Sequence, residues 1–105
     1  MKGYQLSFFT QQDRKHGHRP LGEWLLEEAR RLGIGGATLL TAAEGFGHHR
    51  KIHSARFFEL SDQPIEVTMA VSVEEAERLF ARLREEGVKV FYVKTTIDYG
   101  TTGES

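Results

Sequence analysis

"IEVTMAVSVEEAERLFARLREEGVKVFYVKTTI", residues 65–97, decides the fold. Its first seven residues alternate, with Ile65, Val67, Met69 and Val71 set against Glu66, Thr68 and Ala70. That period of two belongs to a strand with one buried face. Ser72 follows, and Glu75 stands three residues later, the spacing of a reciprocal N-terminal capping box. A helix is therefore expected to begin at Val73, to bury Val73, Ala76, Leu79, Phe80 and Leu83, and to stop at Gly87. "VKVFYVKTTI" then reads as a closing strand over 88–97. Its two residue sets, Val88, Val90, Tyr92 and Lys89, Phe91, Val93, both carry apolar groups.

The N-terminal part also reads as strand, helix and strand, with no internal repeat of sequence. "GYQLSFFTQ" (3–11) is a strand with Tyr4, Leu6 and Phe8 on one face, and "QDRKHGH" (12–18) is a polar loop. Pro20 stands where a helix likes to begin, and Leu21, Trp24, Leu25, Ala29 and Leu32 form one helical stripe ended by Gly33. "GATLLTAAE" (36–44) is a second strand, "SARFFEL" (54–60) is extended, and "SDQP" turns into the strand at 65. A polar tail, "DYGTTGES", is expected to fray. The order β-α-β-β-α-β is the split βαβ, or ferredoxin-like, pattern. The expectation is a single α+β domain over 1–105, with an antiparallel sheet and both helices on one face. Phe8 and Phe9 point to opposite faces of the first strand, so the sheet is apolar on both sides. The second face calls for a partner, hence an oligomer.

Composition narrows the function. The chain has 105 residues, 39% hydrophobic and 28% charged, with a formal charge of −1. It has no cysteine, which excludes thiolate chemistry and Cys-based metal sites. Near-zero net charge gives no global pull toward nucleic acid, and the aromatic sheet residues lack the basic surroundings an RNA-binding face needs. The opening is too polar and too short for a signal peptide, and no apolar run approaches membrane-spanning length. A cytoplasmic location is expected. No enzymatic constellation stands out: Glu27-Glu28, Glu74-Glu75 and Glu85-Glu86 are adjacent on helices and diverge. Ser54 next to His53 likewise diverges on an extended chain.

"EGFGHHRKIH" (44–53) concentrates the remaining chemistry. Gly45 and Gly47 allow positive φ and unobstructed backbone N–H groups, which suits an anion. Arg50 and Lys51 could add charge-assisted contacts. Histidines supply a rival reading. His16 and His18 form H-x-H, and His48, His49 and His53 form H-H-x-x-x-H, spacings that serve metals on a strand or a helix.

The turn Gly33-Ile34-Gly35-Gly36-Ala37-Thr38, a strand, and then Gly45-Phe46-Gly47 together resemble the PII-like signalling proteins, specifically the DUF190 (UPF0166) family. "HRPLGEWLLEEARRLG" and "RKIHSARFFELSDQPIEV" resemble that family's first helix and its continuation past the loop, so the likeness spans nearly the whole chain. It implies a homotrimer whose inter-subunit clefts bind a small effector, an adenine nucleotide foremost, with no required cofactor. Thr38 corresponds to a threonine facing the nucleotide, Lys89 to a lysine on its phosphates, and 45–53 to a flexible loop that reports to a partner protein. The family's frequent neighbours make a membrane transporter the partner to expect. The second glycine-rich loop of PII proteins is cut here to Glu86-Gly87-Val88, and the paired arginines of the last strand are missing, leaving Lys94. Fewer cations leave a triphosphate undercompensated, favouring a mono-, di- or cyclic nucleotide and leaving a non-nucleotide ligand open. The alternative is a metal-responsive trimer like the CutA proteins, which share this architecture, using the five histidines.

Overall fold

The computed structural model describes residues 1–41 and 63–103, and the backbone of 44–45 and 53–54. The order of elements is β1 (Lys2–Gln11), β2 (Lys15–His16), β3 (Arg19–Pro20), α1 (Leu21–Arg31), β4 (Ala37–Thr41), β5 (Glu44–Gly45), β6 (His53–Ser54), β7 (Pro64–Ser72), α2 (Val73–Glu85) and β8 (Phe91–Asp98). Four strands make one sheet in the order β4-β7-β1-β8, with every pairing antiparallel. The expected α+β ferredoxin-like arrangement is what forms.

Register shows how the alternation is used. Leu6 lies opposite Met69 and Phe8 opposite Val67, and Val67 faces Leu39 on the other side. Residues directly opposed across a ladder share a face, so these side chains form one apolar layer. Leu21, Leu25 and Ala29 of α1 and Ala76, Leu79 and Leu83 of α2 complete the core above it. Leu6, Phe8, Leu25, Val67, Val71 and Leu79 are all fully buried. Removing each such side chain from water is worth about 1.5–3 kcal/mol, so this layer is the main source of stability.

Both helices stop the same way. After α1, Gly33 takes φ +81°, its N–H bonds to the Arg30 carbonyl, and the Ile34 N–H reaches the Ala29 carbonyl. After α2, Gly87 takes φ +66°, with Gly87 N–H to Arg84 and Val88 N–H to Leu83. This pair of bonds satisfies carbonyls the helix leaves orphaned, and the left-handed backbone it needs favours glycine. At the start of α2 the capping box forms in full: Glu75 N–H donates to the Ser72 hydroxyl at 3.1 Å, and Ser72 N–H to the Glu75 carboxylate at 2.8 Å.

Four expectations need correction. The polar loop at 12–18 contains β2, which pairs with β3 as a short hairpin turned at Gly17 (φ +65°). The last strand begins at Phe91 rather than Val88, because residues 87 and 88 are engaged in the helix cap. Val73 is exposed, since as the first helical residue it lies off the inward stripe of Ala76, Leu79 and Leu83. The tail does not fray at its start: Tyr99 N–H bonds to the Met1 carbonyl, and the Met1 amine contacts Asp98 at 3.0 Å. The extended reading of 54–60 falls, apart from Ser54, outside the described residues.

Candidate functional site

The face of the sheet away from the helices carries Gln5, Ser7 and Phe9 of β1, Glu66, Thr68 and Ala70 of β7, Thr38 and Leu40 of β4, and Phe91 and Val93 of β8. Leu40, Phe91 and Val93 stand exposed on it, the last two at 54% and 46%. Phe9 and Phe91 touch with ring centroids 5.8 Å apart. Through the middle runs a polar row in which the Thr68 hydroxyl accepts from Gln5 (3.3 Å) and lies 3.4 Å from the Ser7 hydroxyl. Thr38 lies directly across from Thr68 and is itself exposed. The second face thus mixes exposed apolar residues with a polar row, more than the alternation of single strands suggests.

Lys89 sits in the short segment between α2 and β8, exposed beside a groove of about 320 Å³ whose lining includes Phe80, Arg84, Lys89 and Tyr92. Phe80 and Tyr92 pack there at 4.8 Å between centroids. Two cations, Arg84 and Lys89, therefore border a concave, partly aromatic surface.

Thr38 and Lys89 are not brought together within one chain. Thr38 is on β4 and Lys89 lies two residues before β8, the two opposite edges of the sheet. Three strand spacings separate those edges, about 14 Å. Gly45 pairs through its backbone with His53, so the two ends of the intervening stretch are held side by side. Phe46, Gly47, Arg50 and Lys51 lie outside the described residues, as do His48 and His49.

His16 has a different occupation from the one its H-x-H spacing suggests. Its Nε2 lies 2.8 Å from a Glu86 carboxylate oxygen, and its ring packs on Trp24 at 4.6 Å. His18 is exposed, and among the described residues no three His, Asp or Glu side chains gather as a metal site. Glu86 is also held by Arg82 at 3.0 Å. The hydrogen bond from His16, and then the Arg82 charge, keep the Glu86 carboxyl below the ordinary carboxylate range. Arg82 in turn reaches the buried Glu28 of α1 at 3.3 Å, and that bond chiefly raises its own pKa. On the same hairpin, the Arg14 guanidinium donates to the Lys89 carbonyl, and partial burial lowers its pKa. The His16 and Arg14 contacts span 70 and 75 residues, beyond the reach of any local sequence signal.

The fold these elements build is that of PII-like signalling proteins. A PII-like signalling protein from Thermus thermophilus superposes with a TM-score of 0.67 at 25% identity, covering 92% of this chain and 88% of that one. The nitrogen regulatory PII-like protein CPII from Thiomonas intermedia K12, bound to ADP, AMP and bicarbonate, matches with a TM-score of 0.64 at 20% identity, over 96% of this chain and 91% of its own. The chain belongs to the DUF190 family, described as "Uncharacterized ACR, COG1993", whose model matches residues 3–95. A UPF0166 protein of Aquifex aeolicus (strain VF5) is 30% identical over 80 residues, covering 75% of this chain and 76% of that protein. No described helix is long and apolar enough to cross a membrane.

Proposed function

We propose that this protein is a PII-like regulatory module that binds an adenine nucleotide between the subunits of a homotrimer and signals occupancy through residues 45–53. The observation that carries this reading is the placement of Thr38 and Lys89 on opposite edges of one sheet. A site using both is completed only when the β4 edge of one copy meets the β8 edge of the next. The exposed Leu40, Phe91 and Val93 lie on the face such an assembly would cover. The ADP and AMP held by CPII on the same fold supply the ligand class.

In this reading Thr38 contacts the nucleoside, Lys89 meets phosphate, and Gly45, Phe46 and Gly47 approach it by backbone, with Arg50 and Lys51 adding charge. With Arg84 and Lys89 as the cations beside the groove, a mono- or diphosphate is better matched than a triphosphate. The protein acts by binding rather than catalysis, and the partner that reads the loop is a second protein, a membrane transporter being the first to test.

Calorimetry with AMP, ADP, ATP and cyclic nucleotides tests it. Micromolar binding is expected for wild type, abolished in Gly47→Val and weakened by about 1–3 kcal/mol in Lys89→Ala. Absence of binding at millimolar nucleotide, or equal affinities in all three proteins, would refute it. Light scattering that shows an 11.9 kDa particle at micromolar concentration would refute the trimer.

A further inference from the structure

We infer that Arg14 and His16, on the β2–β3 hairpin, are positioning residues that hold the 86–89 segment and so set the strength with which Lys89 binds its anion. The inference rests on Lys89 being the phosphate contact. Lys89 belongs neither to α2 nor to β8: the helix has ended at Glu85, and the ladder to β1 begins at Phe91. Its main chain is held from the side, where Arg14 donates to its carbonyl. Three residues earlier, His16 meets Glu86 at 2.8 Å. Both contacts come from one hairpin, which is pinned to α1 through the Leu21 N–H to Arg14 carbonyl bond and the His16–Trp24 packing. Two grips three residues apart, from a braced hairpin, restrict where the Lys89 backbone can go. A lysine side chain on a restricted backbone loses less freedom when it binds.

The test uses ADP titrated calorimetrically into wild type, His16→Ala, His16→Gln, Lys89→Ala and the His16→Ala/Lys89→Ala double variant. Amide hydrogen exchange of residues 86–90 is measured without nucleotide. Glutamine can still donate to Glu86. Expected are faster exchange at 86–90 in His16→Ala, rescued in His16→Gln, and ADP affinity lowered roughly threefold in His16→Ala and restored in His16→Gln. The double variant should bind no more weakly than Lys89→Ala alone. Unchanged exchange in His16→Ala overturns the inference whatever ADP does. Faster exchange together with no ADP binding by wild type at millimolar concentration refutes the nucleotide reading and the coupling to it, and leaves the hairpin's grip standing. Faster exchange in His16→Ala with ADP affinity equal to wild type overturns the coupling to Lys89.

Discussion

The two faces of the sheet are built from alternate residues of the same strands, yet they do different work. Phe8 is fully buried under α2, whereas Phe91, beside Phe9 on the other face, is 54% exposed. The buried part of the covered sheet face is aliphatic and aromatic apart from Thr10. The open face mixes Leu40, Phe91 and Val93 with a hydroxyl and amide row at Gln5, Ser7 and Thr68. A core face needs only to exclude water. A face that meets another molecule benefits from groups that specify how the meeting occurs. In the trimer proposed above, the contrast separates what folds this chain from what would assemble it.

Breaking the covered face should have the largest effect. Phe8→Ala removes a fully buried ring packed 6.0 Å from Phe80, and should cost about 3–5 kcal/mol in denaturant-induced unfolding. Val93→Asp, on the open face, should cost the isolated chain less than about 1 kcal/mol while converting the proposed trimer to monomer in sedimentation. A large loss of monomer stability would mean that this face is part of the folding core.

Next comes a contact outside both faces. Glu86 has its pKa lowered in the folded protein, so it adds stability above its unfolded pKa, and that contribution disappears as pH falls through the lowered value. Glu86→Gln should therefore lower the melting temperature at pH 7 and converge on wild type in acid, below the ordinary carboxylate range. An equal deficit at both pH values would show that the ion pairs are not its cause. The smallest change is expected from replacing His48 and His49 together by glutamine, within about 0.5 kcal/mol. Sub-micromolar Zn²⁺ binding by wild type, lost in that variant, would restore the metal reading.

The parts of this architecture that are legible in the sequence are those with a period or a cap. Alternation from Ile65 to Val71, the Ser72–Glu75 box, the α1 stripe and the stops at Gly33 and Gly87 all act over a few residues, so their physics is local. The β2–β3 hairpin escapes such a reading because two-residue strands carry no period. The start of β8 reads three residues early because Val88 and Val90 alternate like strand residues, while Val88 is spent on capping Leu83. Thr38 and Lys89 are individually recognisable, but their positions on opposite sheet edges follow from strand order, which no local pattern encodes. His16 reads as half of a metal pair because its partner, Glu86, lies 70 residues away.

The antiparallel pairing of β1 with β8 sets Lys2 opposite Asp98, and the Tyr99 N–H bonds to the Met1 carbonyl. The backbone therefore almost closes into a ring at this point. A few glycines joining Gly100 to Met1 in place of residues 101–105 would complete the ring, and the chain could then be opened at the Gly17 turn, where an added Cβ would meet nothing within 4 Å. Such a circular permutant keeps every pairing of the four-stranded sheet while releasing one end of the hairpin that carries Arg14 and His16. It would separate the hairpin's hold on Lys89 from the identity of its side chains, by changing connectivity alone.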